Sequence, residues 1–153
     1  MHKLNLPTYN FRLKEDHGKD YIFDSIRKKF ILLTPEEWVR QNFIQYLIHE
    51  KNYSESLMAV EKKITVNRKL FRFDLLIYDR QGKPKLIAEF KAPEVKIDQK
   101  SFDQVIRYNM ALRVKHVIVS NGLKHFACEI DYINNSYIFL KDIPEFGVKS
   151  KKN

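Results

Sequence analysis

Apolar and polar positions change period several times along the chain, and each change marks an element. Residues 69–78 place Phe71, Phe73, Leu75 and Ile77 on one side and Arg72, Asp74, Leu76 and Tyr78 on the other. That period of two predicts a strand. Strand-like segments flank it at 58–66 and 85–91, with the turn chemistry of a hairpin in "DRQGK" (79–83). Ala92-Pro93 ends the third, because proline cannot donate to a ladder. Upstream, "YIFDSIRKKFILL" (21–33) reads as strands. "TPEE" (34–37) opens a helix: Thr34 is the N-cap, Pro35 suits the first position, and Glu37 completes a capping box. Val39, Phe43, Tyr46 and Leu47 then share one helical face to about Glu50, and "KNYSES" (51–56) breaks it. Helical spacing returns over 99–114 through Phe102, Val105, Ile106, Asn109 and Met110. A buried strand and turn follow in "KHVIVSNG" (115–122). "FACEIDYI" and "SYIFLKDI" flank Asn134-Asn135 as a hairpin. Residues 1–19 read as a loosely packed lead-in and 148–153 as a polar tail.

The order helix, three strands, helix, strand, hairpin predicts an α/β fold, a mixed β-sheet flanked by helices. No repeat or linker divides the chain, so 1–153 reads as a single domain. Hydrophobic residues make up 44% and aromatic ones 13%, enough for one sizeable core and too much for wholesale disorder. No apolar run is long enough to span a bilayer and "MHKLNLPTYN" has no signal-peptide core, so the expectation is a soluble cytoplasmic protein with no membrane partner. The lone Cys128 has no thiol neighbour and reads as a small packed residue. The formal charge of +9 favours polyanions. Basic residues are spread through Arg27, Lys28, Lys29, Lys62, Lys63, Arg68, Lys69, Arg72, Lys96, Lys100, Lys149, Lys151 and Lys152. Solubility alone also explains such a balance.

The chemistry concentrates in "RFDLLIYDRQGKPKLIAEFKAP" (72–93), where Asp74, Glu89 and Lys91 interrupt otherwise apolar strands. Glu89 and Lys91 are two apart and share a face. With the turn near Gly82, the hairpin register sets Asp74 close to opposite Glu89. Two adjacent carboxylates repel, and a divalent ion such as Mg²⁺ (or Mn²⁺) stabilises the pair, completing its shell with water and phosphate oxygens. A lysine beside them neutralises charge developing on a phosphoryl group. That set suits phosphodiester hydrolysis. The plainer alternative is a Lys–carboxylate ion pair with Asp74 bonded elsewhere. One helix later, Gln104 and Tyr108 fall at i and i+4 on one face. The five histidines show no metal-ligand spacing, no serine sits in a nucleophile elbow, and Trp38 with the Phe and Tyr set reads as core. His116 reads as structural.

Asp74, Glu89-Phe90-Lys91 and Gln104-x-x-x-Tyr108 resemble the PD-(D/E)xK nuclease core with the added glutamine–tyrosine helix motif of its RecB-like branch. More narrowly, "TPEEWVRQ", "FDLLIYDRQGKP", "AEFKAP", "FDQVIRYN" and "VSNGL" resemble the N-terminal domain of type I restriction enzyme R subunits, particularly small stand-alone relatives, over roughly residues 34–140. The resemblance implies a restriction endonuclease-like fold and a metal-dependent DNA nuclease. It also implies partners: DNA, with motor or specificity subunits encoded separately. By the same resemblance Asp74 and Glu89 hold the metal and Lys91 is the catalytic lysine. Gln104 and Tyr108 lie beside the site, contacting substrate phosphate or base or orienting the lysine. One further acid is expected on the first helix. At about 100° per residue, Glu36 borders the apolar face whereas Glu37 points away and serves the cap, so Glu36 is favoured. The other reading is that both merely suit the positive helix end. Asn121-Gly122 would lie near the rim. Phe73 stands where the motif's proline would be. No glycine-rich phosphate loop is present in this sequence, so an ATP-driven motor is not part of it. A catalytically weak or inactive nuclease-fold module that binds DNA or regulates is the alternative function.

Overall fold

The computed structural model describes residues 1–147; the polar tail expected at 148–153 lies outside them. Nine strands and two helices follow in the order β1 (Leu13–Asp16), β2 (Lys19–Asp24), β3 (Lys29–Leu32), α1 (Pro35–Glu50), β4 (Met58–Val66), β5 (Lys69–Tyr78), β6 (Pro84–Phe90), α2 (Gln99–Asn109), β7 (His116–Ser120), β8 (His125–Asp131) and β9 (Ser136–Phe139). Strands β4 to β9 form one six-stranded sheet in chain order, and β1 to β3 a separate antiparallel sheet. Among the described residues only β6 and β7 pair in parallel, and a parallel pair needs a long crossover. α2 supplies it.

The two helices lie in different layers. Val39, Phe43 and Leu47 of α1 pack with Leu75, Ile77, Leu86, Ala88 and Phe90. Phe102 and Ile106 of α2 pack with Phe71, Phe73, Leu76, Ile87, Val117 and Val119. Each large side chain buried this way stabilises by ~1.5–3 kcal/mol, more than the ~1 kcal/mol of a helix cap, so packing holds α1 in place. The expected α/β sheet flanked by helices is what forms, and it is a restriction endonuclease-like fold. Cys128 is free and buried in β8, and buried His116 faces Glu129 across β7 and β8 at 3.4 Å. No helix among the described residues is long and apolar enough to cross a membrane.

Four local expectations differ. First, Phe71 and Phe73 do not share a layer with Leu75 and Ile77, as strict alternation required. The partner strand carries Glu61 at φ 56°, and the β4–β5 pairing skips from Val60↔Leu75 to Lys62↔Phe73. The ribbon turns over there, at Asp74. Second, α2 stops at Asn109 rather than 114. Asn109 Nδ2 donates to the Val105 carbonyl at 2.7 Å, a 3₁₀ turn takes over at Met110–Leu112, and Arg113 is left-handed at φ 52°. Third, Glu37 does not complete the capping box. Thr34 Oγ1 accepts from the Glu37 N–H at 3.0 Å, but the Glu37 carboxylate is buried against arginines. Fourth, the lead-in is packed. Leu4 and Leu6 join the α1 core, the Asn5 N–H donates to the Gly122 carbonyl at 2.8 Å, and Trp38 Nε1 donates to the His2 carbonyl at 2.8 Å. Gly122 permits this docking: its φ is +85° and a Cβ there would lie 2.7 Å from Leu4 Cδ2. Residues 13–16 add an edge strand to β2.

Candidate active site

The site begins where β5 and β6 part. Their main-chain register ends at Leu75↔Ala88, and one step further would bring Asp74 opposite Glu89. Instead the Asp74 side chain takes over: Oδ2 accepts from the Phe90 N–H at 2.9 Å. On its other edge β6 stays paired, because the Lys91 N–H donates to the Ser120 carbonyl at 2.9 Å. The gap between β5 and β6 is therefore lined by carboxylates rather than by ladder hydrogen bonds.

Asp74 and Glu89 meet in that gap. Burial first, then the charge of Asp74 and a hydrogen bond with it, push the Glu89 carboxyl up to about 9, against the lowering effect of Lys91. Glu36, exposed in the first turn of α1, faces the same cluster. Loss of water around it, then Asp74, raise its carboxyl above the ordinary range, while Arg40 and Lys91 pull it down. Lys91 is thus near both acids, yet forms no ion pair with either among the described residues. The ammonium does not occupy the space between Asp74 and Glu89. The cation closest to Asp74 is Arg40, with Nη1 at 3.7 Å from Oδ1.

On the α2 side, Arg72, Glu89, Gln104, Val105, Tyr108 and Asn109 line an open cleft of about 420 Å³. Gln104 is exposed there. Tyr108 is held more tightly. Its Oη accepts from the Arg72 N–H at 2.8 Å, and its ring meets Phe71 at 4.8 Å and Phe73 at 6.1 Å between centroids. Because β6 has already diverged, that amide has no strand partner on this edge, and the phenol supplies one. The hydroxyl proton of Tyr108 remains available to the cleft.

All six residues expected at the site therefore lie around one sheet end, although Glu36 and Tyr108 sit on opposite layers. Sequence reasoning missed the network behind them. Glu37 accepts from Arg40 Nη2 at 2.6 Å, Arg27 Nη2 at 2.9 Å and Gln41 Nε2 at 3.0 Å. Burial alone would raise Glu37; Arg40 above all, with Gln41 and Arg27, holds it below the ordinary range instead. Arg40 Nη1 also donates to Glu61 at 2.9 Å, and Glu61 pairs with Arg72. A signal for Arg40 existed, since it follows Glu36 and Glu37 by four and three residues on one helix. Glu61 had none beyond being a lone acid in a basic stretch.

The donor set fits a hard divalent cation. Asp74 and Glu89 offer carboxylate oxygens in contact with each other, and Mg²⁺ is commonly held by one or two carboxylates plus water and substrate phosphate. Among the described residues no group of three or more His, Cys, Asp or Glu side chains is positioned to hold one ion, so any seat here is a two-carboxylate one.

Comparison with known proteins agrees with this architecture. A family model for the N terminus of type I restriction enzyme R proteins matches residues 35–144, which takes in α1, β4 to β9 and every residue of the cluster. A search of curated proteins returned no match. The β1–β3 sheet lies outside the matched segment. With a match over most of its length, the chain belongs to the family of type I restriction enzyme R protein N-terminal domains.

Proposed function

We propose that the protein is a divalent-metal-dependent DNA nuclease of the restriction endonuclease type, serving type I restriction or related DNA processing. The observation that carries this reading is the contact of Asp74 with Glu89 in the β5–β6 gap, beside Lys91 and an open cleft. Asp74 and Glu89 would hold Mg²⁺ or Mn²⁺. When bound, such an ion neutralises phosphate charge and lowers the pKa of water at neutral pH.

The chain's own groups do the rest. Lys91 Nζ, unpaired by either acid, offers its protons to a phosphate oxygen as negative charge grows there. Gln104 and the Tyr108 hydroxyl face the cleft as neutral donors that orient the nucleic acid. Glu36 stands at the mouth of the same cluster with its carboxyl biased toward holding a proton. Basic residues outside the gap neutralise flanking phosphates, so binding weakens steeply with salt.

Purified protein incubated with plasmid DNA and Mg²⁺ or Mn²⁺ tests this directly. Wild type is expected to cut, and Asp74→Ala and Lys91→Ala to lose about 10²-fold or more, as when one oxyanion-stabilising donor is removed elsewhere. Equal cleavage by all three overturns the assignment. A second reading, a DNA-binding or regulatory module with negligible turnover, is favoured by the two-carboxylate seat and by Arg40 beside Asp74. Tight DNA binding with no metal-dependent cleavage would select it.

A further inference from the structure

The β4–β5 hairpin outruns the sheet. β5 pairs with β6 only from Leu75 onward, while β4 and β5 stay paired to Val66↔Lys69. The six residues 69–74 thus extend the ribbon beyond its neighbour by roughly 20 Å at ~3.3 Å per residue. At its tip Asn67 and Arg68 both have positive φ, 51° and 64°, the backbone of a tight two-residue hairpin turn. Between Glu61 and Asp74 the segment "KKITVNRKLFRF" carries Lys62, Lys63, Arg68, Lys69 and Arg72 and no acid.

Of these, Arg72 is paired with Glu61. Lys62, Lys63, Arg68 and Lys69 are exposed and pair with no carboxylate among the described residues. Lysine on β4 alone could be edge protection, since β4 is an outer strand. That account does not reach Arg68 at the turn or Lys69 on β5. The ribbon is also braced: Ile64, Val66, Phe71 and Phe73 pack toward α2, and Tyr108 takes the Arg72 N–H. Arg72 itself lines the cleft with Glu89 and Gln104. A stiff basic arm therefore projects from the wall of the candidate active site.

We infer that this hairpin is the duplex-gripping arm, laid into the major groove of B-form DNA so that the flanking backbone crosses the Asp74–Glu89 gap. The inference rests on the DNA reading above and names how the duplex is held. The major groove, about 12 Å wide, admits a two-stranded ribbon. The major groove of A-form RNA is too narrow to be read this way. Four unpaired cations supply phosphate contacts, and the exposed Leu70 at the tip adds an apolar contact available from thymine methyl groups.

The test is equilibrium binding to a fluorescent duplex in EDTA, where nothing is cut, across a salt series. Wild type is compared with Lys63→Ala/Arg68→Ala/Lys69→Ala and with a control of equal charge loss, Arg80→Ala/Lys83→Ala/Lys115→Ala, at the opposite end of the sheet. The arm variant is expected to bind about tenfold or more weakly and to lose ~2–3 from the slope of log affinity against log salt, at ~0.9 per phosphate contact. The control keeps both values close to wild type. A charge-preserving swap, Lys63→Arg/Arg68→Lys/Lys69→Arg, should restore binding, and an unchanged melting temperature in all variants separates grip from folding. Duplex RNA should compete poorly. If wild type binds DNA but arm and control variants weaken equally, or if duplex RNA competes as well as DNA, the arm is refuted and the nuclease reading stands. If wild type binds no DNA at all, it is the reading of the site that fails.

Discussion

At the scale of single residues, Glu89 is the side chain most at odds with its surroundings. Burial and the neighbouring Asp74 raise its carboxyl to about 9, from an ordinary value of 4.5. Between those values the unfolded chain has released a proton that the folded chain still holds. Stability from this group is therefore full below about 4.5 and declines as pH climbs toward about 9. Glu89→Gln keeps the shape and removes the titration. In metal-free buffer the melting temperature of wild type should fall relative to Glu89→Gln across that window, and parallel curves would contradict the contact. The pairing of Asp74 with Glu89 was legible beforehand, because hairpin register alone sets two positions opposite each other. Glu37 was misread for a related reason. Its local spacing from Thr34 suggests a cap, but Arg40 and Gln41 on the same helix take its carboxylate, together with Arg27 from a segment whose proximity no local pattern reveals.

At the scale of elements, α1 is tied to its surroundings by charge as well as by packing. Arg40 is buried and bonded to Glu37 and Glu61, and Arg27 links Glu37 to Asp24 on β2. Removing one member leaves buried charge uncompensated, which costs ~3–5 kcal/mol, whereas replacing both partners with neutral groups is far milder. Arg40→Met should lower the melting temperature by roughly 6–20 °C for a chain of this size. Glu37→Gln/Arg40→Met should fall well short of the summed single effects, a coupling that a double-mutant cycle in thermal unfolding measures. Additive losses would mean the network is incidental. Element positions were largely readable from period and turn chemistry, with β4, β5 and β8 near their expected limits. The turnover of the β4–β5 ribbon was not readable. It depends on Glu61 adopting a positive φ that no glycine or asparagine signals.

At the scale of the whole molecule, the parts converge on one end of the six-stranded sheet. α1 brings Glu36 and Arg40 from one layer, α2 brings Gln104 and Tyr108 from the other, and the β5–β6 gap sets Asp74, Glu89 and Lys91 between them. Such a site is built at the expense of stability, since Glu89 must hold a proton beside Asp74 at a pH where the unfolded chain releases it. A cation that binds only the folded chain must therefore raise its stability, and by a calculable amount. At a concentration of a hundred times Kd the gain is ~2.7 kcal/mol, or about 5–11 °C at ~2–4 °C per kcal/mol. Mn²⁺ titrated into wild type should produce such a rise, and Asp74→Asn should abolish it without lowering the metal-free melting temperature. Gln104→Ala, which leaves both carboxylates in place, should keep it. A nuclease and a metal-binding but slow module both give this result and are then separated by cleavage. A purely structural ion cluster gives no rise at all, because its charges would already be balanced by Arg40 and Lys91. The melting curve thus decides whether the gap between β5 and β6 is a ligand seat before any substrate is chosen.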